Sequence, residues 1–302
     1  MNQREWLTER FAEHELHLRA VAYRMLGSAA EADDALQEAR LRIRGQDPGA
    51  IENMQAWLTT VIGRVCLNML RSRRIRRETS SEFHVPDPLV SFHDTAGPEQ
   101  EALLSDSVGL ALLVVLDALS PAERLAFVLH DLFGIPFSEI ASALDRSEAA
   151  AQQLASRARR RVQNAPEPDR DLVRQKQLVA AFFAAARDGD FGSLIRVLHA
   201  DVVLRIDGGR LRHEASLLVR GAEAVSRHTR LYSGLHPHVV PALVNGTAGA
   251  LVVPRGGLFA VMGFTISQER IAEIDVLLDP ERLARLQLTI PLAEEIEPDA
   301  AD

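Results

Sequence analysis

Two dense arginine clusters, each closing an amphipathic helical pattern, constrain this chain more than any other feature. Residues 64–77 hold six arginines and no acid, and residues 152–162 hold four arginines and no acid. Between them, residues 78–122 hold eight acids and neither lysine nor arginine. The first cluster ends "MQAWLTTVIGRVCLNMLRSRRIRR", in which Trp57, Leu58, Val61, Ile62, Val65 and Leu70 fall on one face. The second, Arg157 and Arg159 to Arg161, ends the helix pair "SEIASALDRSEAAAQQLASRARRR". A single charge run reads as a solvated helix face. Two basic patches flanking an acidic connector read as two helical units that contact nucleic acid.

The overall balance is acidic, net −8 with a pI near 5.7, so the basic patches are local. With 302 residues, 47% of them hydrophobic, two or three domains are expected, each able to bury a core. No window is apolar enough to span a membrane, and "MNQREWLTERFAEHE" is charged where a secretion signal would be apolar, so a cytoplasmic protein is expected. The lone Cys66 rules out an internal disulfide and multi-cysteine metal sites, and reads as core filler. Lys176, the only lysine, follows no glycine-rich loop, which excludes a phosphate-cradling GxxxxGK[ST] motif. No cofactor or metal is implied.

Along the chain, Trp6, Phe11, Leu16, Leu18, Val21, Ala22, Met25 and Leu26 recur at helical spacing up to a break at Gly27 and Ser28. In "SAAEADDALQEARLRI", Ala32, Ala35, Leu36, Ala39 and Ile43 make an apolar stripe, and Asp33, Asp34, Gln37 and Glu38 face outward toward a basic partner. "ETSSEFHVPDPLVSFHDTAGPEQ" reads as a linker. "SPAE" then opens a second helical unit, with Ser120 as N-cap, Pro121 at the first helical position and Glu123 as capping-box acid. Gly134 and Pro136 end that helix, residues 137–144 form a short one, and Ser147 caps the next, giving a helix-turn-helix. On that geometry Gln152 and Gln153 reach base edges, glutamine pairing bidentately with adenine, while Arg157, Arg159 and Arg160 hold phosphates. The stretch before the first arginine cluster lacks such a frame. Arg64, Asn68, Arg71 and Arg74 project along it at helical spacing and suit single-stranded nucleic acid; Trp57 belongs to the core.

After "NAPEPD" at 164–169 the pattern changes to helices (171–187 and 191–198), the strand "DVVLRID", a helix around 221–233 and several strands. Asn245-Gly246 is a hairpin signal, and "GLFAVMGFTIS" and "RIAEIDVLL" read as sheet neighbours. The expectation is an α+β domain with a curved antiparallel sheet.

These residues carry a resemblance. The first two-thirds resemble an extracytoplasmic-function sigma factor, the minimal two-domain class of the sigma-70 family. "AEADDALQEARLRI" is similar to the helix that binds the polymerase clamp, "AWLTTVIGRVCLNMLRSRRIRR" to the segment that melts and reads the minus-ten element, and residues 119–162 to the minus-thirty-five reader. The resemblance implies region 2 at 1–80, an acidic linker at 81–107 that enters the polymerase RNA exit path, and region 4 at 108–164. It implies core-polymerase contact by Asp34, Gln37 and Glu38 with the clamp helices, and by region 4 with the flap. Promoter contact falls to Arg64, Asn68, Arg71 and Arg74 at minus ten, and to Gln152, Gln153, Ser156, Arg157, Arg159 and Arg160 at minus thirty-five. Arg64 and Asn68 stand where the family usually has Asn and Asp, which leaves the base they read open. An anti-sigma partner is compatible with this but not implied.

Residues 171–290 resemble a SnoaL-like domain of the nuclear-transport-factor-2 superfamily, followed by an acidic tail at 291–302. Three short signatures of the sigma subset bearing this domain match loosely: "VPDP" in the linker (Pro86, Asp87, Pro88), "DGGR" (Asp207, Gly208, Gly209) and "DPERL" (Asp279, Pro280). The implied role is regulation by intramolecular contact with the helical domains or linker, without enzymatic activity. Two alternatives stand beside it. One is a one-component repressor whose C-terminal domain senses a ligand. The other is a cone that retains ligand binding or catalysis through Asp207, Asp275, His199 or His236, which a buried, unpaired carboxylate in an apolar cone would support.

Overall fold

The computed structural model describes residues 3–43, 51, 53–77, 84–92, 109–166, 168–229, 238–254, 257–286 and 288, with side chains undescribed at 3–5 and 74–77. Most of the linker, the acidic tail, His236 and the Arg74 side chain lie outside the described residues.

The N-terminal unit is built from α1 (Gln3–Glu13), α2 (Glu15–Leu26), α3 (Ala29–Ile43) and α4 (Met54–Arg77). Gly27, in the left-handed conformation at φ 73°, ends α2, and its N–H closes on the Tyr23 carbonyl. Ser28 Oγ accepts from Glu31 N at the start of α3, and Asn53 Oδ1 from Ala56 N at the start of α4. The five residues of the α3 apolar stripe are all buried, whereas Leu16 of α2 is exposed.

In the second unit, α5 (Leu110–Asp117) leads into α6 (Pro121–Phe127), whose capping box is complete: Ser120 Oγ accepts from Glu123 N, and Ser120 N donates to Glu123 Oε2. A π-helical turn at Val128–Leu132 follows, then α7 (Phe137–Leu144) and α8 (Glu148–Gln163). Asp145 at φ 56° turns the chain between α7 and α8, and Ser147 caps α8. This is a helix-turn-helix. The two helical units share one continuous apolar cluster, in which Ile62 and Val65 of α4 join Leu125 and Leu129. Gly63 lets them approach: a Cβ there would lie 3.0 Å from methyls of Leu125 and Leu129.

The C-terminal domain has α9 (Leu172–Asp188), α10 (Phe191–Val197) and α11 (Ala222–Thr229) on one face of a sheet. A linker strand β1 (Val90–Ser91) joins β2 (Leu198–Asp207), β3 (Leu217–Arg220), β4 (Val239–Val244), β5 (Thr247–Val252), β6 (Ala260–Ser267) and β7 (Arg270–Leu277); a short α12 (Pro280–Leu283) follows. The strand order is β1-β4-β5-β6-β7-β2-β3. The sheet is mixed, because β2 runs parallel to β7 while every other pair is antiparallel. The antiparallel expectation failed there for a physical reason: β2 and β7 are distant in sequence, and alternation of residue types fixes which face a side chain takes, not which strand lies beside it. β7 is buried on both faces from Ile271 on, as a parallel neighbour requires. The linker strand was not expected in the sheet at all. The face opposite the helices packs Val244, Leu251, Val261 and Leu277 against Val85 and Val90 of the linker and Leu110 of α5.

Candidate functional site

On α3, Asp34, Gln37 and Glu38 are exposed along one face, above the buried alanine stripe. Glu38 accepts from Arg42 at 2.9 Å, and the neighbouring Asp33 pairs with Arg19 at 2.8 Å. A face of carboxylates held by exposed pairs of this kind can exchange its partners for a basic surface, because such pairs contribute only about 0–1 kcal/mol each.

Arg64, Asn68 and Arg71 are exposed at helical spacing along α4. Their face is not free along its whole length. Arg64 Nη2 donates to the main-chain oxygen of Ser142 at 2.5 Å and to Ser142 Oγ at 2.8 Å, and Thr60 Oγ1 donates to Glu139 Oε2 at 3.1 Å. Helix α7 of the second unit therefore lies against the first candidate base-reading position.

On α8, Gln152 and Gln153 are exposed and Ser156 is half-buried. Most of the arginines are held by acids of their own unit: Arg157 and Arg161 by Glu123, at 3.6 and 3.4 Å, and Arg159 by Asp131. Burial pushes the Glu123 carboxyl up, but the Ser120 hydrogen bonds and the two guanidiniums outweigh it, so it stays below the ordinary range. Arg160 is exposed. Arg157 and Arg161 therefore lie at one edge of the exposed face of α8 and Arg159 at the other, with Gln152, Gln153 and Arg160 between them.

The three short signatures converge on one buried cluster. Asp207 ends β2. Its Oδ2 accepts from Val85 N at 3.0 Å and from Arg282 Nη1 at 2.7 Å, and its Oδ1 accepts from Gly209 N at 3.0 Å. Arg282 also donates through Nε to Asp87 at 2.5 Å and through Nη2 to the Val85 carbonyl. His84 Nδ1 lies 3.1 Å from both Asp207 Oδ2 and Arg282 Nη1. Asp279 caps α12 by accepting from Glu281 N and Arg282 N, which aims Arg282. Pro280 starts that helix. Gly209, at φ 62°, brings the turn so close to Asp279 that a Cβ would lie 2.0 Å from its carboxylate. Gly208 N donates to Ser216 Oγ, Pro86 packs on Gly27, and Pro88 lines a recess beside α3.

Burial pushes the Asp207 carboxyl up, but the His84 hydrogen bond, the His84 and Arg282 charges and the Val85 N–H together hold it well below the usual carboxylate range. Burial lowers His84 to about 4, aided by Arg282 and opposed by Asp207. A second set of bonds ties the linker to α2: Asp87 N donates to the Gly27 carbonyl, and Asn245 Nδ2 to the Tyr23 hydroxyl at 2.8 Å. The Tyr23 hydroxyl in turn donates to the Asp87 carbonyl, and Leu89 N donates to Asn245 Oδ1. Sequence reading singled out Asp87, Asp207 and Asp279 but missed His84, Arg282, Tyr23 and Asn245, whose partners lie up to 222 residues away. Asn245 was read only as a hairpin residue.

The model of sigma-70 region 2 matches residues 11–76 and that of sigma-70 region 4 matches residues 109–162. The ECF RNA polymerase sigma factor SigJ of Mycobacterium tuberculosis is 39% identical over 270 residues, 86% of this chain and 84% of that protein. The chain is an extracytoplasmic-function sigma factor. A probable ECF sigma factor, SigI, of the same species is 32% identical over 95% of the chain and 98% of its own length. The crystal structure of SigJ aligns with a TM-score of 0.74 at 33% identity, covering 93% of this chain and 100% of that one. As a sigma factor it directs promoter recognition by core RNA polymerase, with two helical sigma domains followed by an α+β domain.

The candidate cone acids of this sigma factor do not line an apolar pocket. Asp275 alternates with Ile274 and Val276 of the helix-covered face and so points to the other side, where Arg205 donates to it at 2.9 Å and to Glu273 at 2.7 Å. Burial raises the Asp275 carboxyl to about 6 against the pull of Arg205. Asp207 is taken up by the linker cluster, and His199 accepts from Asp201 N at the edge of β2. No helix among the described residues is long and apolar enough to cross a membrane.

Proposed function

We propose that this sigma factor is held in a closed form by its own chain, and that core polymerase separates the parts. The observation that carries the reading is the Asp207–Arg282 cluster, which grips the linker at Val85 and Asp87 from the C-terminal domain. With the linker held, α7 rests on α4 and engages Arg64 through Ser142. The C-terminal domain, residues 171–290, is thus an intramolecular partner of region 2 (1–80), the linker (81–107) and region 4 (108–164). In the open form Asp34, Gln37 and Glu38 engage the clamp helices and region 4 the flap. Arg64, Asn68, Arg71 and Arg74 then read the minus-ten strand. Gln152, Gln153, Ser156, Arg157, Arg159 and Arg160 read the minus-thirty-five duplex. The protein works in the cytoplasm, its C-terminal domain regulates without catalysing, and an anti-sigma partner is not required.

Run-off transcription with core polymerase on a library of upstream fragments tests this, comparing the full chain with D207N. Asparagine keeps the shape but removes the charge that faces Arg282, and breaking a buried pair costs about 3–5 kcal/mol. More transcript from the same starts is expected with D207N. Equal or lower output would refute the closed-form reading, and no defined starts from either protein would refute the promoter assignment.

A further inference from the structure

The C-terminal domain is not filled between its helices and its sheet. A cavity of about 90 Å³ lies there, walled by Phe182 and Phe183 of α9, Leu204 of β2, Met262 of β6 and Ile274 of β7. Of the described lining side chains, only His228 and Thr229 at the end of α11 carry nitrogen or oxygen. The Thr229 hydroxyl donates to the Val225 carbonyl, and burial lowers the His228 pKa, so the ring meets the cavity uncharged. An ionised guest would lose its hydration here without gaining a counter-charge. An apolar recess of this kind instead takes hydrocarbon.

The wall of the cavity is tied to the linker cluster. Phe259 and Leu278 line it. Arg212 donates from Nη1 to the main-chain oxygens of both, at 3.5 and 3.1 Å, and its guanidinium lies 4.7 Å from the Phe259 ring centroid. Arg212 N closes the glycine turn on the Gly208 carbonyl, and Leu278 N donates to the Asp207 carbonyl at 2.7 Å. The residue whose carboxylate holds Val85 and Arg282 is therefore bonded through its main chain to a residue of the cavity wall.

We propose that this cavity binds a small uncharged ligand, one ring or a short alkyl chain with at most one polar substituent set against His228 or Thr229, and that occupancy acts on the linker through Phe259, Leu278 and Arg212. The binding half stands on the cavity; the coupling half rests on the closed-form reading above.

The test uses the full-length protein, methyl-labelled for NMR and titrated with benzene, indole and benzoate. Saturable shifts at Leu204, Met262 and Ile274 with benzene or indole, none with benzoate, and loss of the shifts in A260L are expected; A260V serves if A260L fails to fold. No shift with benzene or indole, or the same shifts in the filled variant, overturns the binding half. Run-off transcription with and without indole then reads the coupling. A change of about five-fold with the full chain and none with D207N is expected. Binding without any change, where D207N itself alters transcription, overturns the coupling. Binding where D207N transcribes like the full chain leaves the site in place, removes the closed-form reading, and overturns coupling through the linker with it.

Discussion

Arg64 of region 2 is hydrogen-bonded to Ser142 of region 4, through both the main-chain oxygen and the hydroxyl, across a separation of 78 residues. The side chain proposed to meet the minus-ten strand is therefore occupied by the helical unit proposed to read the minus-thirty-five element. The contact is exposed, so its contribution is small and salt-sensitive. That suits the opening by polymerase proposed above.

Weakening this contact should release α4. In E139A the Thr60 hydroxyl keeps the Ala56 carbonyl but loses its bond across to α7 beside Arg64. The loss of a half-buried hydrogen bond of this kind amounts to roughly 0.5–1 kcal/mol, or about two- to five-fold in affinity for a single-stranded minus-ten oligonucleotide. Fluorescence anisotropy at fixed low salt measures it, with E223A, which removes an exposed acid on α11, as the control for net charge. Equal tightening in both variants would mean that charge alone is responsible.

The linker grip should loosen in acid. His84 has its pKa lowered to about 4 from 6.5, and Asp207 lies below its ordinary range, so both are depressed in the closed form. Depressed groups contribute stability that is complete above the unfolded pKa and lost as pH falls through the folded one. The His84 contribution therefore fades between about 6.5 and about 4, and the Asp207 contribution is lost only at lower pH. Hydrogen exchange at the Val85 amide, corrected for its intrinsic pH dependence, should speed up across the upper window. In H84Q that dependence should flatten; an unchanged slope in H84Q would show that another group titrates.

The buried triad on the far side of the sheet gives the opposite sign. In R205M, Glu273 and Asp275 stay buried without their shared cation, and the cost of breaking such a pair is about 3–5 kcal/mol. Asp275 already sits near 6, and without the pull of Arg205 its carboxyl moves higher. A raised folded pKa contributes stability below the unfolded pKa that is lost as pH rises through the folded one. The variant should therefore recover at about pH 5 much of what it loses at about pH 8. Urea unfolding at the two values decides it, with equal losses at both counting against titration of Asp275.

Local features were legible in the sequence because their causes are local. Ser120, Pro121 and Glu123 mark the start of α6, Ser147 marks the start of the helix that carries Gln152 and Arg157, and Gly27 and Asn245-Gly246 mark turns that the backbone adopts at positive φ. Long-range pairings were not legible. Nothing near Arg282 says that its carboxylates are Asp87 and Asp207, nothing in "DVVLRID" says that its neighbour is the parallel strand "RIAEIDVL", and "PLVS" does not look like a sheet edge. Asp275 was weighed as a cone acid because strand alternation leaves the choice of face open until one neighbour is known; the pairing of Gly263 with Asp275, opposite Met262 and Val276, settles it.

Tyr23 shows what such a pairing contributes. Its hydroxyl is the only group through which α2, the linker and the β4–β5 turn meet in one hydrogen-bonded chain among the described residues: it accepts from Asn245 Nδ2 and donates to the Asp87 carbonyl. Burial pushes the phenol pKa far above its usual value, so it remains a donor at any physiological pH. Y23F keeps the ring packing but leaves the buried Asn245 amide short of an acceptor and the Asp87 carbonyl short of a donor, a loss of about 1–3 kcal/mol. Because neither partner belongs to the core of a single domain, the loss should appear in the contact between domains. Protease cleavage in the linker should accelerate roughly 10-fold or more, while the urea midpoint for the helical core moves little. A fall in that midpoint with unchanged linker cleavage would place Tyr23 in the core of region 2 alone.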